Sequence, residues 1–229
     1  MDEYLTALES ELRSMVTSPD PVLDDYFGMF RYHMGWTDVR FEPIQANAGK
    51  RIRPLLCLLS CESVGGHWRP ALPVAAAIEL AHNFSLIHDD IEDASDERRG
   101  RTAVWKVWGL AQGLNAGDGM FVLARLALDH LCERGLPIEK CSAVSAVFDE
   151  ATLALCQGQF LDLGYETRLD VTADEYLKMI RGKTAALISA STRIGAMLAS
   201  EDKQVVSAFA RFGENIGLAF QITDDILGI

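Results

Sequence analysis

Apolar residues recur at three- and four-residue spacings over long stretches of the chain, while alternating β-branched runs bounded by hairpin turns are hard to find. The pattern predicts an all-α protein, with helices over residues 3–16, 20–35, 51–64, 69–93, 103–134, 137–164, 172–199 and 202–228. Breaks fall at Ser18-Pro19-Asp20-Pro21, Gly65-Gly66, Arg99-Gly100 and Gly135-Leu136-Pro137. Thr172-Ala173-Asp174-Glu175 pairs a capping hydroxyl with a glutamate three residues on. No internal repeat, low-complexity stretch or linker divides the chain, so residues 1–229 are expected to form a single domain. Long helices with short connections would make it a bundle around a central cavity.

Composition narrows the class. With 49% hydrophobic and 24% charged residues the chain has ample core material. A formal net charge of −12 argues against nucleic acid as a partner, since phosphate backbones need a basic face. The cysteines, Cys57, Cys61, Cys132, Cys141 and Cys156, are odd in number and form no CxxC pair, so free core thiols in a reducing, cytoplasmic setting are expected. The N-terminus is acidic and amphipathic, and no run of about 20 apolar residues occurs, so neither a signal peptide nor a transmembrane segment is expected.

Candidate chemistry concentrates in Phe84 to Gly100, FSLIHDDIEDASDERRG. A spacing of four places Asp89 and Asp93 on one helix face, with Asp90 about 100° around. Carboxylates alone suit a hard cation such as Mg²⁺, and the arginine pair that follows suits a phosphorylated ligand held through it. Taken alone, the segment reads equally as a solvated acidic helix end followed by a basic turn. A second apolar helical run ends on Phe220-Gln221-Ile222-Thr223-Asp224-Asp225, and facing runs would make a two-sided carboxylate cage.

At this point the chain resembles the trans-isoprenyl diphosphate synthases, the head-to-tail prenyltransferases of the polyprenyl synthetase type. Their first motif, DDxxD followed by RRG, is matched in full by Asp89 to Asp93 and Arg98-Arg99-Gly100. Their second, FQxxDDxxD, is matched through Asp225, with Gly228 at the final aspartate position. The resemblance covers about Gly49 to Ile229, six motifs in the family's order. It implies the isoprenoid-synthase helical bundle, a homodimer, and Mg²⁺ held by Asp89, Asp90, Asp93, Asp224 and Asp225, with Asp162 beside it. It also implies two substrates, isopentenyl diphosphate and an allylic diphosphate (dimethylallyl, geranyl or farnesyl).

The remaining roles follow from the same likeness. Ala48-Gly49-Lys50-Arg51-Ile52-Arg53-Pro54 is similar to the loop that binds isopentenyl diphosphate, so Lys50, Arg53 and, less directly, Arg51 are substrate ligands. His82, seven residues before Asp89, is placed on the same substrate. Arg98 is matched to the allylic diphosphate and Arg99 to the isopentenyl one. Gln159 and Asp162 lie in the family's GQxxD element near the allylic diphosphate and its metal. Lys183 and Thr184 form its KT element and, with Gln221, are expected at the reacting centre. Phe84 and Ser85 occupy the positions where the family sets product length, which favours geranylgeranyl diphosphate, about 20 carbons. The implied reaction is Mg²⁺-assisted ionisation to an allylic carbocation, followed by attack of the isopentenyl alkene. Two alternatives are a non-catalytic subunit of a heteromeric synthase and a class I terpene cyclase. Family members continue beyond the second motif with further helices and a lysine for the allylic diphosphate, and the domain is expected to lack these.

Overall fold

The structure, a computed structural model, describes residues 1–228. Apart from one two-residue hairpin, the regular elements are helical. They gather into two compact units, Met1–Ile52 with Ala76–His130, and Arg53–Ala75 with Leu131–Ile229.

The first unit holds α1 (Asp2–Met15), α2 (Asp24–His33), most of α4 (Leu72–Glu92), the hairpin β1 (Glu97–Arg98) and β2 (Arg101–Thr102), α5 (Val104–Trp108) and most of α6 (Leu110–Glu133). Leu8, Leu12, Phe30, Met34, Ile78, Leu80, Ile87 and Met120 are fully buried. Each such side chain contributes about 1.5–3 kcal/mol relative to exposure. The small residues of Asn115 to Gly119 let α6 approach its neighbours closely. A methyl group at Gly119 would meet the Tyr26 hydroxyl at 1.9 Å, and one at Gly117 the His88 ring at 2.1 Å. Tyr26 donates to the Asn115 carbonyl (2.8 Å) and His88 Nε2 lies 3.2 Å from the Leu114 carbonyl.

The second unit holds α3 (Ile52–Ser63) from Arg53 on, α7 (Ile138–Tyr165), α8 (Ala173–Ile180), a π-helical turn over Arg181–Ala185, α9 (Ala186–Ala199) and α10 (Lys203–Leu227). The Thr172–Glu175 capping box opens α8 as the sequence indicates. Gly213 and Gly217 let α10 lie on α9 and the π turn: a methyl group at Gly213 would stand 2.8 Å from the Ile188 carbonyl, and one at Gly217 2.6 Å from Ala185 Cα.

Four expectations are corrected. The helix expected over 103–134 breaks at Gly109, whose φ of 89° leaves the helical region. The helix expected over 172–199 carries the π turn. Arg99 (φ 54°) and Gly100 (φ 74°) form the two-residue turn of a hairpin in which Arg98 pairs with Arg101, a local strand signal too short for any periodicity to reveal. Cys132 and Cys141 are joined by a disulfide rather than free, because the turn at Gly135 folds α7 back and brings their Cα atoms to 6.2 Å. Cys57, Cys61 and Cys156 are free. Arg69–Glu92 is long and apolar enough to cross a membrane, yet 78% of its most apolar window is buried inside the protein, the mark of a core helix.

Candidate functional site

Lys50 and Arg51 lead into α3, and Lys50 is exposed. Arg51 departs from the expectation of a substrate ligand. It is 6% exposed, in left-handed backbone (φ 52°), and its guanidinium donates to Glu79 at 2.7 Å and to Glu9 at 3.5 Å. Glu79 also accepts from the Asn83 amide at 2.8 Å, which satisfies an acid on an apolar helix face. Turning Arg51 inward fixes the loop that carries Lys50. Non-glycine residues in left-handed backbone cost about 1–3 kcal/mol and persist where surrounding contacts demand them.

Arg99 comes to the same loop. Gly49 has φ 85°, and a methyl group there would stand 3.0 Å from an Arg99 guanidinium nitrogen, so glycine admits both the turn and the arginine. Arg99 is itself left-handed, because it occupies the first corner of the hairpin turn. The hairpin is pinned by Arg101, which donates to the Tyr32 and Thr37 carbonyls at 2.6 Å and lies 3.9 Å from the Tyr32 ring centroid. Arg99 thus packs against Gly49, the residue before the exposed Lys50, and the loop carries cations suited to an anion. Burial, foremost, and then Arg99, Arg98 and Arg51 push His33 down to about 3, so it is neutral beside these cations.

Asp89, Asp90 and Asp93 lie in and just beyond the last turn of α4. That end carries the negative pole of the helix, so carboxylates there are unfavourable until a cation arrives. Arg98 supplies one: it donates to Asp90 at 2.7 Å and to Asp89 at 3.4 Å. Asp90 is 1% exposed and lies against Arg98, while Asp93 is exposed, so the three acids do not converge. Burial pushes the Asp90 carboxyl up, with the Arg98 hydrogen bond opposing. His82, one turn from Glu79 on α4, is half-buried, and Ser85 donates to its carbonyl at 2.8 Å. Phe84 is 8% exposed with its ring 5.1 Å from that of Phe121.

The second unit gathers a separate group. A methyl group at Gly158 on α7 would stand 2.0 Å from the Lys183 backbone nitrogen, so α7 touches the π turn directly. Such turns, rare in general, accompany functional sites. One turn beyond Gly158, Asp162 accepts from the Lys183 ammonium, and the half-buried Gln159 is adjacent to that contact point. Thr184, buried, donates to the Gln221 carbonyl oxygen. Gln221 donates its amide to Asp225 Oδ1 at 2.8 Å, and Tyr176 of α8 donates to Asp225 Oδ2. Burial, and next Asp225 itself, push the Tyr176 hydroxyl up to about 12. Arg53, half-buried in the first turn of α3, belongs to this unit too.

Among the described residues no three His, Cys, Asp or Glu side chains converge on one point. A small hard cation nevertheless fits Asp89 and Asp93: the donors are all oxygen, they stand at a negative helix end, and the buried Asp90 Oδ2 lacks a hydrogen-bond partner. Mg²⁺ takes one or two carboxylates and completes its shell with phosphate and water. Tyr176 and Glu79 escape the motif reading. The signals for them are spacing: Tyr176 lies seven residues before Lys183, and Glu79 and Asn83 are polar residues four apart on an apolar helix.

The sequence profile of the family described as Polyprenyl synthetase matches residues 36–229. The chain is 44% identical over 218 residues to the (2E,6E)-farnesyl diphosphate synthase of Mycobacterium tuberculosis (strain ATCC 25618 / H37Rv), covering 95% of this chain and 58% of that protein. It is 37% identical over 223 residues to the geranylgeranyl diphosphate synthase of Methanosarcina mazei, covering 97% and 67%. The crystal structure of a polyprenyl synthetase from Streptomyces coelicolor A3(2) superposes with a TM-score of 0.90 at 37% identity, over 100% of this chain and 65% of that one. The chain therefore spans about six tenths of the length of the mycobacterial relative.

Proposed function

Since the chain belongs to the polyprenyl synthetase family, we propose that it condenses isopentenyl diphosphate with an allylic diphosphate to lengthen an isoprenyl chain by one unit. The observation that carries this reading is the pairing, within one unit, of a cationic turn (Arg99 packed against Gly49, next to Lys50 in the chain) with an acidic helix end faced by Arg98. A reaction whose substrates both carry diphosphate needs these two features together.

Lys50, Arg53, Arg99 and His82 would hold isopentenyl diphosphate, and Arg98, Lys183 and Gln159 the allylic one. Arginine suits diphosphate because its planar fork bonds two oxygens at once. Asp89 and Asp93 would hold Mg²⁺, which when bound supplies Lewis-acid neutralisation of the leaving diphosphate, and Asp224 is the acid of the second unit suited to a cation. The allylic C–O bond breaks with its electron pair leaving on diphosphate. The isopentenyl double bond supplies the pair for the new C–C bond, and a proton is lost to restore an alkene. Thr184 and Gln221, held by each other, keep fixed dipoles near the developing cation, where preorganised dipoles outperform water. The enzyme needs no side-chain nucleophile. A homodimer is supported by apolar residues on α6, where Leu110 and Leu114, and then Val122 and Leu126 beyond the exposed Asp118, lie four residues apart and are 44–54% exposed.

Purified protein incubated alone with Mg²⁺, isopentenyl diphosphate and dimethylallyl, geranyl or farnesyl diphosphate in turn should yield a longer alcohol after dephosphorylation. No product from any of the three would sink the reading, and a cyclic hydrocarbon would replace it with terpene cyclisation. For product length, relatives named for farnesyl and for geranylgeranyl diphosphate are both similar. Phe84 as the floor favours geranylgeranyl diphosphate, and Phe84→Ala should lengthen the products. An unchanged distribution would move the floor elsewhere.

A further inference from the structure

We propose that Tyr176 is a positioning residue that acts through Asp225, and that the Asp225 carboxylate serves to orient Gln221 and Thr184 rather than to bind a cation. The argument starts from the packing of α10. Gly213, Gly217, Gln221 and Asp225 follow one another at four-residue intervals, so they form one stripe along the helix. The two glycines bring that stripe into backbone contact with α9 and the π turn. Gln221 and Asp225 are carried to the same side, where they meet Thr184 and Tyr176.

The hydrogen bonds there have one consistent direction. Thr184 donates to the Gln221 oxygen, which leaves the Gln221 nitrogen for Asp225 Oδ1 at 2.8 Å. Tyr176 donates to Asp225 Oδ2. An ionised carboxylate only accepts, so Asp225 dictates which end of the Gln221 amide faces it and therefore which end faces Thr184. Both oxygens of Asp225 are engaged, whereas Asp224, one residue earlier and about 100° around the helix, makes no side-chain hydrogen bond or ion pair among the described residues. The two acids of this motif therefore divide their work: Asp224 is left for a cation and Asp225 for the protein. Without Tyr176 the carboxylate loses the donor on its second oxygen and the amide loses its fixed orientation.

The proposal rests on the condensation reading, and two measurements separate them. The first needs no turnover. In ¹⁵N-labelled protein without metal or substrate, Tyr176→Phe and Asp225→Asn should each shift the Gln221 side-chain amide signals, and an unshifted signal in Tyr176→Phe overturns the proposal whatever the activity. The second is kinetic. Tyr176→Phe should lower kcat about tenfold, the order expected for one charge-assisted hydrogen bond, with the KM for isopentenyl diphosphate unchanged. The double variant Tyr176→Phe/Asp225→Asn should be no worse than Asp225→Asn alone, because the two act as one unit. Multiplying effects, or parental kcat in Tyr176→Phe, would also overturn it. An inactive parent would instead count against the condensation reading, leaving the amide signals to decide the role of Tyr176.

Discussion

At the end of α4 the carboxylates face a guanidinium group, and at the end of α10 they face a phenol and an amide. Both clusters stand at the negative pole of a helix, where acids cost about 0.3–1 kcal/mol each when exposed, so neither arrangement is explained by helix stability. The first unit offsets its acids with charge: Arg98 reaches Asp90 and Asp89 from a hairpin that Arg101 pins to α2 and the loop after it. At the end of α10 the second unit uses neutral donors and close backbone packing, with glycines at 213 and 217 setting the distances. Charge pairing tolerates small displacements because Coulomb energy falls slowly with distance, whereas hydrogen-bond direction does not. The cluster in the first unit should therefore respond mainly to changes of charge and that in the second mainly to changes of shape.

The largest expected effect tests charge in the first unit. Asp89→Asn should lower kcat on the order of a thousandfold, the scale of removing a main electrostatic contribution, while the melting temperature stays near that of the parent. Undiminished turnover would mean that the α4 acids do not serve a cation. Next comes the buried ion pair beneath the cation loop. Arg51→Ala leaves Glu79 buried without its partner and should destabilise the protein by about 3–5 kcal/mol, read from chemical denaturation. A loss below about 1 kcal/mol would show that the pair is not a keystone.

Shape in the second unit is tested by Gly158→Ala. The methyl group would meet the Lys183 nitrogen and the Gly182 carbonyl carbon, atoms that cannot rotate away, so a stability loss of about 1–3 kcal/mol should accompany a raised KM for the allylic substrate. An unchanged KM would sever Lys183 from that substrate. The smallest effect belongs to pH. His33 is held neutral down to about 3 in the folded protein, whereas the unfolded chain takes a proton near 6.5. The unfolded state binds more protons between those values, so this contribution is present above about pH 6.5 and is lost as pH falls toward 3. The loss between pH 7 and pH 4 should be about 3 kcal/mol at most, and it should be smaller in His33→Gln. Equal slopes for the two proteins would remove His33 from the account.

The sequence and the structure can be compared residue by residue. Most of the helices are legible from periodicity because apolar spacing and helical pitch coincide, and the capping box at Thr172 announces its own helix. The motif acids and cations are equally visible, since their residue types are those the chemistry needs. Arg51 and Asp90 were not separable from their neighbours in the motifs, because a cation that binds substrate and one that binds a buried glutamate are the same letter. The π turn and the hairpin also escaped, for both are departures of a few residues within patterns read over many. The Cys132–Cys141 bond depends on how one turn folds back, which no spacing rule contains.

By itself, then, the amino-acid order determined the all-α class, the extent of most helices and the identity of the groups able to meet diphosphate and a hard cation. Those properties are local: they depend on side-chain chemistry and on which residues share a helix face. Only the tertiary structure decided which of those groups face a ligand and which face each other. Arg51 turns inward because Glu79 is buried on another helix, and Asp225 meets Tyr176 because two glycines let α10 settle onto α9 and the π turn. Both outcomes depend on distances between segments far apart in the chain, which only the folded packing sets.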